Sequence, residues 1–220
     1  MPRVGRKLVD GLIYHVLNRG NDKKLIFADS FDYQTFIELI RSAAERHPIN
    51  ILAYCLMPNH FHMVVHVPVA AELGRNMHWL LTTHARRFRA VIAGAGHVWQ
   101  GRFKSLPVQS DHHLVTLLRY VEANPVRAGL VNSCVEWRWS SISERLGVKA
   151  MKGLLAPLPI SLPSPWADFV DRSLHESELA AIHLAVQKQI PFGDSNWQSQ
   201  CVGWNEEKEV SRRGRPPTLR

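Results

Sequence analysis

Cysteine is scarce in this 220-residue chain: Cys55, Cys134 and Cys201 are odd in number and widely scattered, with no Cys-x-x-Cys pair. That excludes a secreted-type disulfide framework and a thiolate zinc cluster, and a reducing cytoplasm is the natural compartment. Long apolar runs are missing as well. The basic N-terminus leads into no long apolar core before Asn18, and nowhere do about 18 apolar residues follow one another, so neither export nor membrane spanning is indicated. There is no internal repeat and no His-Glu-x-x-His motif, which removes solenoids and the commonest zinc hydrolases. The sharpest gap is in negative charge. From Leu73 to Ser110 there is no Asp or Glu, while Arg75, Arg86, Arg87, Arg89, Arg102 and Lys104 all occur, with His78, His84 and His97 among them. Six cations without an internal counterion make a face suited to phosphates.

The whole chain carries 27 Lys and Arg against 19 Asp and Glu, a formal +8, which favours a polyanionic partner. With 45% hydrophobic residues and this length, one main domain with an appendage is expected rather than two full domains. The expected division is a main domain over 1–147, a linker and helical extension over 148–205, and a basic disordered tail over 206–220.

Residues 11–18 read as a strand ended by the turn-like Asn18-Arg-Gly-Asn21. Ser30 offers an N-cap for a helix to about Arg46, whose Phe36, Ile37, Ile40 and Ala44 follow a helical period. Residues 49–56 and 60–67 read as strands, and the short Met-Pro-Asn link between them implies an antiparallel hairpin. The stretch 73–92 is the clearest amphipathic helix. Leu73, Met77, Leu80, Leu81, His84 and Phe88 form one stripe; Arg75, His78, Thr82, Arg86 and Arg89 form another. Residues 97–108 resemble a further strand carrying Trp99 and Phe103, and Asp111 can cap the next helix, closed by Pro125. Trp79, Trp99 and Phe103 beside the basic stripe suit base stacking, whereas Trp137 and Trp139 read as core. Pro157, Pro159, Pro163 and Pro165 mark a linker, and 166–189 reads as one broken helix or two short ones. The order strand, helix, hairpin, helix, strand predicts an α+β, ferredoxin-like antiparallel sheet with helices on one face, plus an extra helix bearing Tyr120 and a C-terminal helical extension.

Chemistry gathers at four residues. His60 and His62, two apart on a strand, share a face with Cα atoms roughly 6.5 to 7 Å apart, so their imidazoles can converge on one metal ion. Tyr120 and Asn124, four apart, put a phenol and an amide on one helical face, about 6 Å apart along the axis. These are the parts needed for metal-assisted attack by a phenol on a phosphodiester. A phenol of pKa about 10 is a poor nucleophile at neutral pH unless the electrophile is activated, which a divalent cation on the phosphate achieves. His66 shares the pair's face by period but lies too far along the strand to join it, and reads as a packing or DNA-facing residue.

Pro58-Asn-His-Phe-His-Met-Val-Val65 resembles the HUH motif of single-tyrosine HUH transposases, and Tyr120-Val-Glu-Ala-Asn-Pro-Val-Arg-Ala-Gly-Leu-Val131 resembles their tyrosine helix. Tyr14-His-Val-Leu-Asn-Arg-Gly-Asn21, Trp99-Gln-Gly-Arg-Phe-Lys104 and Trp137-Arg-Trp-Ser-Ser141 narrow the likeness to the REP-associated tyrosine transposases, bacterial proteins encoded among repetitive extragenic palindromes. The likeness covers most of residues 11–145. It implies an HUH endonuclease fold, His60, His62 and Asn124 as metal ligands, Tyr120 as nucleophile, and Mg²⁺ or Mn²⁺ as cofactor. It further implies nicking of single-stranded DNA beside a hairpin, with a 5′-phosphotyrosine and a free 3′-OH, in DNA transposition or recombination by a monomer. Glu122 departs from the family's expected histidine or small residue, faces away from the Tyr120 stripe and is given no catalytic role. Arg213-Gly-Arg-Pro216 resembles the core of an AT-hook, making Arg213 and Arg215 candidates for a minor-groove tether.

Three other readings stay open on residues alone. One is a non-cleaving, hairpin-binding regulator on the same fold, and another an RNA-binding ferredoxin-like module. The third, a zinc hydrolase, lacks a third strong ligand.

Overall fold

The computed structural model describes residues 8–91, 96–148 and 153–201. Its centre is a four-stranded antiparallel sheet of β1 (Leu12–Arg19), β2 (Asn50–Met57), β3 (His60–Val67) and β4 (Lys104–Val108), in the order β2-β3-β1-β4. This is the ferredoxin-like α+β arrangement. The β2–β3 hairpin turns through Pro58 and Asn59, and the turn is pinned where Ile26 N–H donates to Pro58 O (2.8 Å) and Gly20 N–H to Asn59 O (2.8 Å).

Alternation along the strands sends Tyr14, Val16, Phe61, Met63 and Val65 to one face, where α1 (Ser30–Arg46) and α2 (Ala70–Val91) pack Tyr33, Phe36, Ile40, Leu73, Met77 and Leu80 on them. The α1 cap is Asp29 rather than Ser30. Its carboxylate accepts from Phe31 N (2.9 Å) and Asp32 N (3.0 Å) while its own backbone is extended, the geometry a capping residue needs. The other face carries Ile13, Leu52, Cys55, Val64 and Leu106, covered by α3 (His112–Glu122), a short α4 (Asn124–Arg127), and the later helices α6 (Trp166–Asp171) and α7 (Glu176–Lys188). Asp111 caps α3, accepting from His113 N at 2.8 Å. Thus α1 and α2 share one face, as the helical stripes predict, and the tyrosine helix takes the opposite one.

The expected strand over 97–108 shrinks to β4. Upstream of it Trp99 makes only an isolated bridge to Gly20, and Trp99 and Phe103 are buried against the α1 and α2 layer. They pack in the core while one side of each still borders the basic cleft beside α2. Both sheet edges are covered from the C-terminal side. Ala156 N–H donates to Ile51 O (2.7 Å) on β2, while beside β4 Phe192 N–H donates to Pro107 O (2.8 Å) and Phe192 O accepts from Gln109 N–H (2.9 Å). Such pairing removes open edges on which other chains could add. The remaining short helices are α5 (Ile142–Arg145) and α8 (Ser195–Gln200). Among the described residues no helix is long and apolar enough to cross a membrane.

Candidate active site

The face of the sheet under α3 carries the histidines. Register places Leu17 opposite His62 and Arg19 opposite His60, so His60, His62 and His15 rise on the same side, with His15 diagonal to His62 across β1 and β3. The His60 and His62 ring centroids are 5.1 Å apart, and the Tyr120 ring from α3 stands 5.8 Å from His62 and 6.3 Å from His15, edge-on to both. His60, His62 and Tyr120 line one cleft of about 480 Å³, together with Arg19, Arg102 and Lys104. None of the described residues lining it is acidic.

Hydrogen bonds decide which ring nitrogens are available. Asn59 Nδ2 donates to Lys23 O (3.2 Å), which turns its Oδ1 toward His60 Nδ1 at 2.7 Å. An amide oxygen only accepts, so His60 carries its proton on Nδ1 and keeps the Nε2 lone pair. His62 Nδ1 lies 2.9 Å from His15 Nε2, so its Nδ1 is likewise engaged. Burial lowers the His60 pKa to about 4, helped by the Arg19 and Arg127 charges. Burial also holds His62 well below the usual imidazole range, with its neighbours His15 and His60 adding to the effect, and brings His15 to about 3. All three rings are therefore neutral at pH 7, the form that binds metal. Two neutral imidazoles in a cleft with free coordination space and cationic walls fit a divalent ion that also meets a phosphate.

Tyr120 is 7% exposed, enough to border the cleft. The Arg127 guanidinium lies 3.9 Å from its ring centroid and Nη1 donates to Tyr120 O (3.2 Å), tying α4 back onto α3. The spacing of seven that puts Arg127 on the Tyr120 face is visible in the sequence, yet Arg127 was not among the expected site residues. His15 was missed too, because one histidine in an apolar strand reads as core. A third, His183 of α7, has its ring 5.9 Å from Tyr120 and belongs to a segment with no sequence signal for the site. Asn124, one turn beyond Tyr120, is buried at the start of α4 and does not line the cleft.

The basic residues divide among several places. Arg86 and Arg89 line a second cleft of about 800 Å³ with His78, Thr82 and His97, and this cleft meets the first at Gln100, Gly101 and Arg102. Lys104 lies in the tyrosine cleft, its Nζ donating to Val186 O (3.3 Å). Arg87 is exposed outside both clefts. Arg75 also stands outside them and pairs with Glu72 at 2.6 Å, so the acid one residue upstream of the acid-free run supplies a counterion the run itself lacks. Arg213 and Arg215 lie outside the described residues. Glu122, fully buried behind Tyr120, receives Ser141 Oγ (2.5 Å), Arg145 Nε (3.0 Å) and Trp166 Nε1 (2.6 Å). Among the described residues, one His, Cys, Asp and Glu cluster of metal-ligating size is found, Asp111, His112 and His113. It sits at the opposite end of α3, roughly 12 Å along the axis from Tyr120.

A Haemophilus influenzae protein provisionally named REP-associated tyrosine transposase is 27% identical over 117 residues, 48% of this chain and 66% of that relative. A solved structure of a REP-associated tyrosine transposase bound to a REP hairpin superimposes with a TM-score of 0.53 at 18% identity, covering 80% of this chain and 99% of the other, and so shares the fold. The family model for IS200-like transposases matches residues 8–124, from the start of the described chain through the tyrosine helix. That span is more than half of the chain and contains both histidines and Tyr120, and the protein belongs to the IS200-like transposase family.

Proposed function

We propose that this protein nicks and rejoins single-stranded DNA beside REP-type palindromic hairpins through a 5′-phosphotyrosine formed on Tyr120. The observation that carries the reading is the convergence of the Tyr120 ring, 5.8 Å from His62, with a histidine pair whose rings are neutral, in one cation-walled cleft. The hairpin as partner is taken over from the bound relative.

In this reading Arg19, Arg102 and Lys104 hold the backbone phosphates, and the basic side of α2 holds the flanking duplex or strand. Tyr120 Oη attacks phosphorus, the bond to the 3′-oxygen breaks, and the proton lost by the phenol is matched by the one the 3′-oxygen gains. Arg127, stacked on the ring, steadies the phenol in the cleft. His60 and His62 would hold Mg²⁺ or Mn²⁺, and the ion would supply charge neutralisation at the scissile phosphate; Asn124, expected as a third donor, is buried outside the cleft and would have to turn toward it to join them. The new bond is a phosphodiester like the one broken, so rejoining needs no nucleotide cofactor. Because Tyr120 meets the histidines of its own chain, the site is complete in a monomer. The compartment is the cytoplasm, where the nucleoid lies.

The test is incubation of a 3′-labelled hairpin oligonucleotide with Mg²⁺, followed by a denaturing gel. A covalent adduct is expected from the wild type and none from Tyr120→Phe. His60→Ala should lose the adduct while keeping hairpin affinity within a few-fold. Absence of adduct from the wild type, or undiminished adduct from Tyr120→Phe, removes the reading. The non-cleaving regulator is favoured by one observation, the 7% exposure of Tyr120, and the same gel separates the two.

A further inference from the structure

We propose that His15 is a positioning residue for the metal pair: its Nε2 accepts the hydrogen of His62 Nδ1 and thereby holds His62 in the tautomer whose Nε2 lone pair is free for a cation. The proposal rests on the reading of His60 and His62 as that pair.

A neutral imidazole carries one N–H, so the partner of one ring nitrogen decides the state of the other. His62 has its Nδ1 against His15 Nε2 at 2.9 Å, the rings stacked at 21° with centroids 5.1 Å apart, and both side chains are buried. Two proton arrangements satisfy this contact. If His15 donates, His62 must carry its proton on Nε2 and has no lone pair to offer the cleft. If His62 donates, Nε2 is a ligand. The second arrangement puts the proton of His15 on its own Nδ1, which is buried and has no hydrogen-bond partner. That nitrogen has no partner in either arrangement, so what separates the two is the cation: only the second leaves His62 Nε2 a lone pair to give it.

His60 provides the internal comparison. Its partner, the Asn59 amide oxygen, is fixed by Asn59 Nδ2 on Lys23 O and can only accept. His15 can accept or donate, so the His62 tautomer and whatever binds His62 Nε2 are linked, whereas that of His60 is preset. His15 also stands edge-on to Tyr120 at 6.3 Å, so it touches both the metal pair and the phenol ring.

The experiment uses the full chain without DNA. Mn²⁺ affinity is measured by calorimetry for wild type, His15→Phe, His15→Gln and His62→Ala, each checked for cooperative thermal unfolding. Loss of the acceptor in His15→Phe should weaken Mn²⁺ by about 10- to 100-fold, the usual effect of removing a partner behind a metal ligand. Glutamine, whose amide oxygen can reach the position of the ring Nε2, should restore affinity to within a few-fold. Independently, long-range proton–nitrogen NMR of histidine-labelled wild type with Mg²⁺ should find the His62 proton on Nδ1. Wild-type Mn²⁺ affinity in His15→Phe, or a bare His62 Nδ1 in the Mg²⁺ spectrum, overturns the proposal. If His15→Phe does not fold, the wild-type spectrum decides. If the wild type shows no Mn²⁺ binding that His62→Ala removes, the metal-pair reading itself fails and takes this inference with it.

Discussion

Replacing Glu122 by alanine tests whether the tyrosine helix is held by a buried charge. The Glu122 carboxylate is fully buried and satisfies three donors from two later segments, Ser141 Oγ and Arg145 Nε after α4 and Trp166 Nε1 at the start of α6. Removing one member of a buried ion pair costs about 3 to 5 kcal/mol, because the other charge is left without compensation. Arg145 would keep one bond, from Nη2 to Leu52 O (2.6 Å), which argues for the lower end. Two further donors lose their acceptor, at about 1 to 3 kcal/mol each before relaxation, with water able to reach some of the space left behind. A net loss of about 4 kcal/mol is therefore expected for Glu122→Ala, a large part of the 5 to 15 kcal/mol typical of a domain. Glu122→Gln keeps the shape and one acceptor, and should lose about half as much. Urea unfolding followed by tryptophan fluorescence and by far-ultraviolet circular dichroism measures both, and coincident transitions establish that the free energies are comparable. A loss below about 1 kcal/mol for Glu122→Ala would refute the reasoning, since it would mean that the Arg145 charge finds solvent without Glu122.

Two other outcomes are expected. Burial lowers the pKa of His15 to about 3 and that of His84 to about 4, so in the folded protein both resist protonation while the unfolded chain takes up protons below about 6.5; stability is then full above that value and falls as pH drops toward the folded pKa values, by about 2 kcal/mol per histidine between pH 7 and 5, and an unchanged or higher urea midpoint at pH 5 would contradict this. An equimolar mixture of Tyr120→Phe and His60→Ala proteins should form no more adduct than either alone, because each chain supplies its own tyrosine and histidines; recovery of adduct on mixing would show that the tyrosine helix is exchanged between chains.

What the sequence made legible was whatever depends on a local period. The stripe of Leu73, Met77 and Leu80 does face the sheet, Asp111 does cap α3, and His60 and His62 do share a face, because side-chain direction along one element is fixed by backbone geometry alone. The misses fall where the decision belongs to a partner. His15 becomes significant only through the β1–β3 register, which sets Leu17 against His62, and no alternation within residues 11–18 says which strand lies alongside. Ser30 and Asp29 are both good caps, and the chain direction entering the helix chose the carboxylate. Trp99 and Phe103 look like a strand by composition, yet beyond Leu17 the edge of β1 is met only at one bridge, where Gln100 N–H donates to Arg19 O (2.8 Å). Residues 155 and 156 precede a proline-rich stretch that reads as linker, and they complete the β2 edge.

The position of Glu122 in this arrangement has a mechanical consequence for the tyrosine two residues before it. One turn of α3 presents Tyr120 to the cleft and turns Glu122 to the opposite side, where α5 and α6 hold it, while Arg119 on the same helix donates to Arg172 O (2.5 Å) and Ser173 O (3.0 Å) just after α6. Segments on either side of the Pro-rich stretch therefore grip the back of the tyrosine helix, and the sheet carrying the histidines grips its front. Lifting α3 away would expose the Glu122 carboxylate, strand Arg145 and break the Arg119 contacts together, a cost of several kcal/mol. With α3 docked in this way the phenol faces the histidine pair of its own chain, and in the proposed reaction it is the DNA ends that exchange places in the cleft.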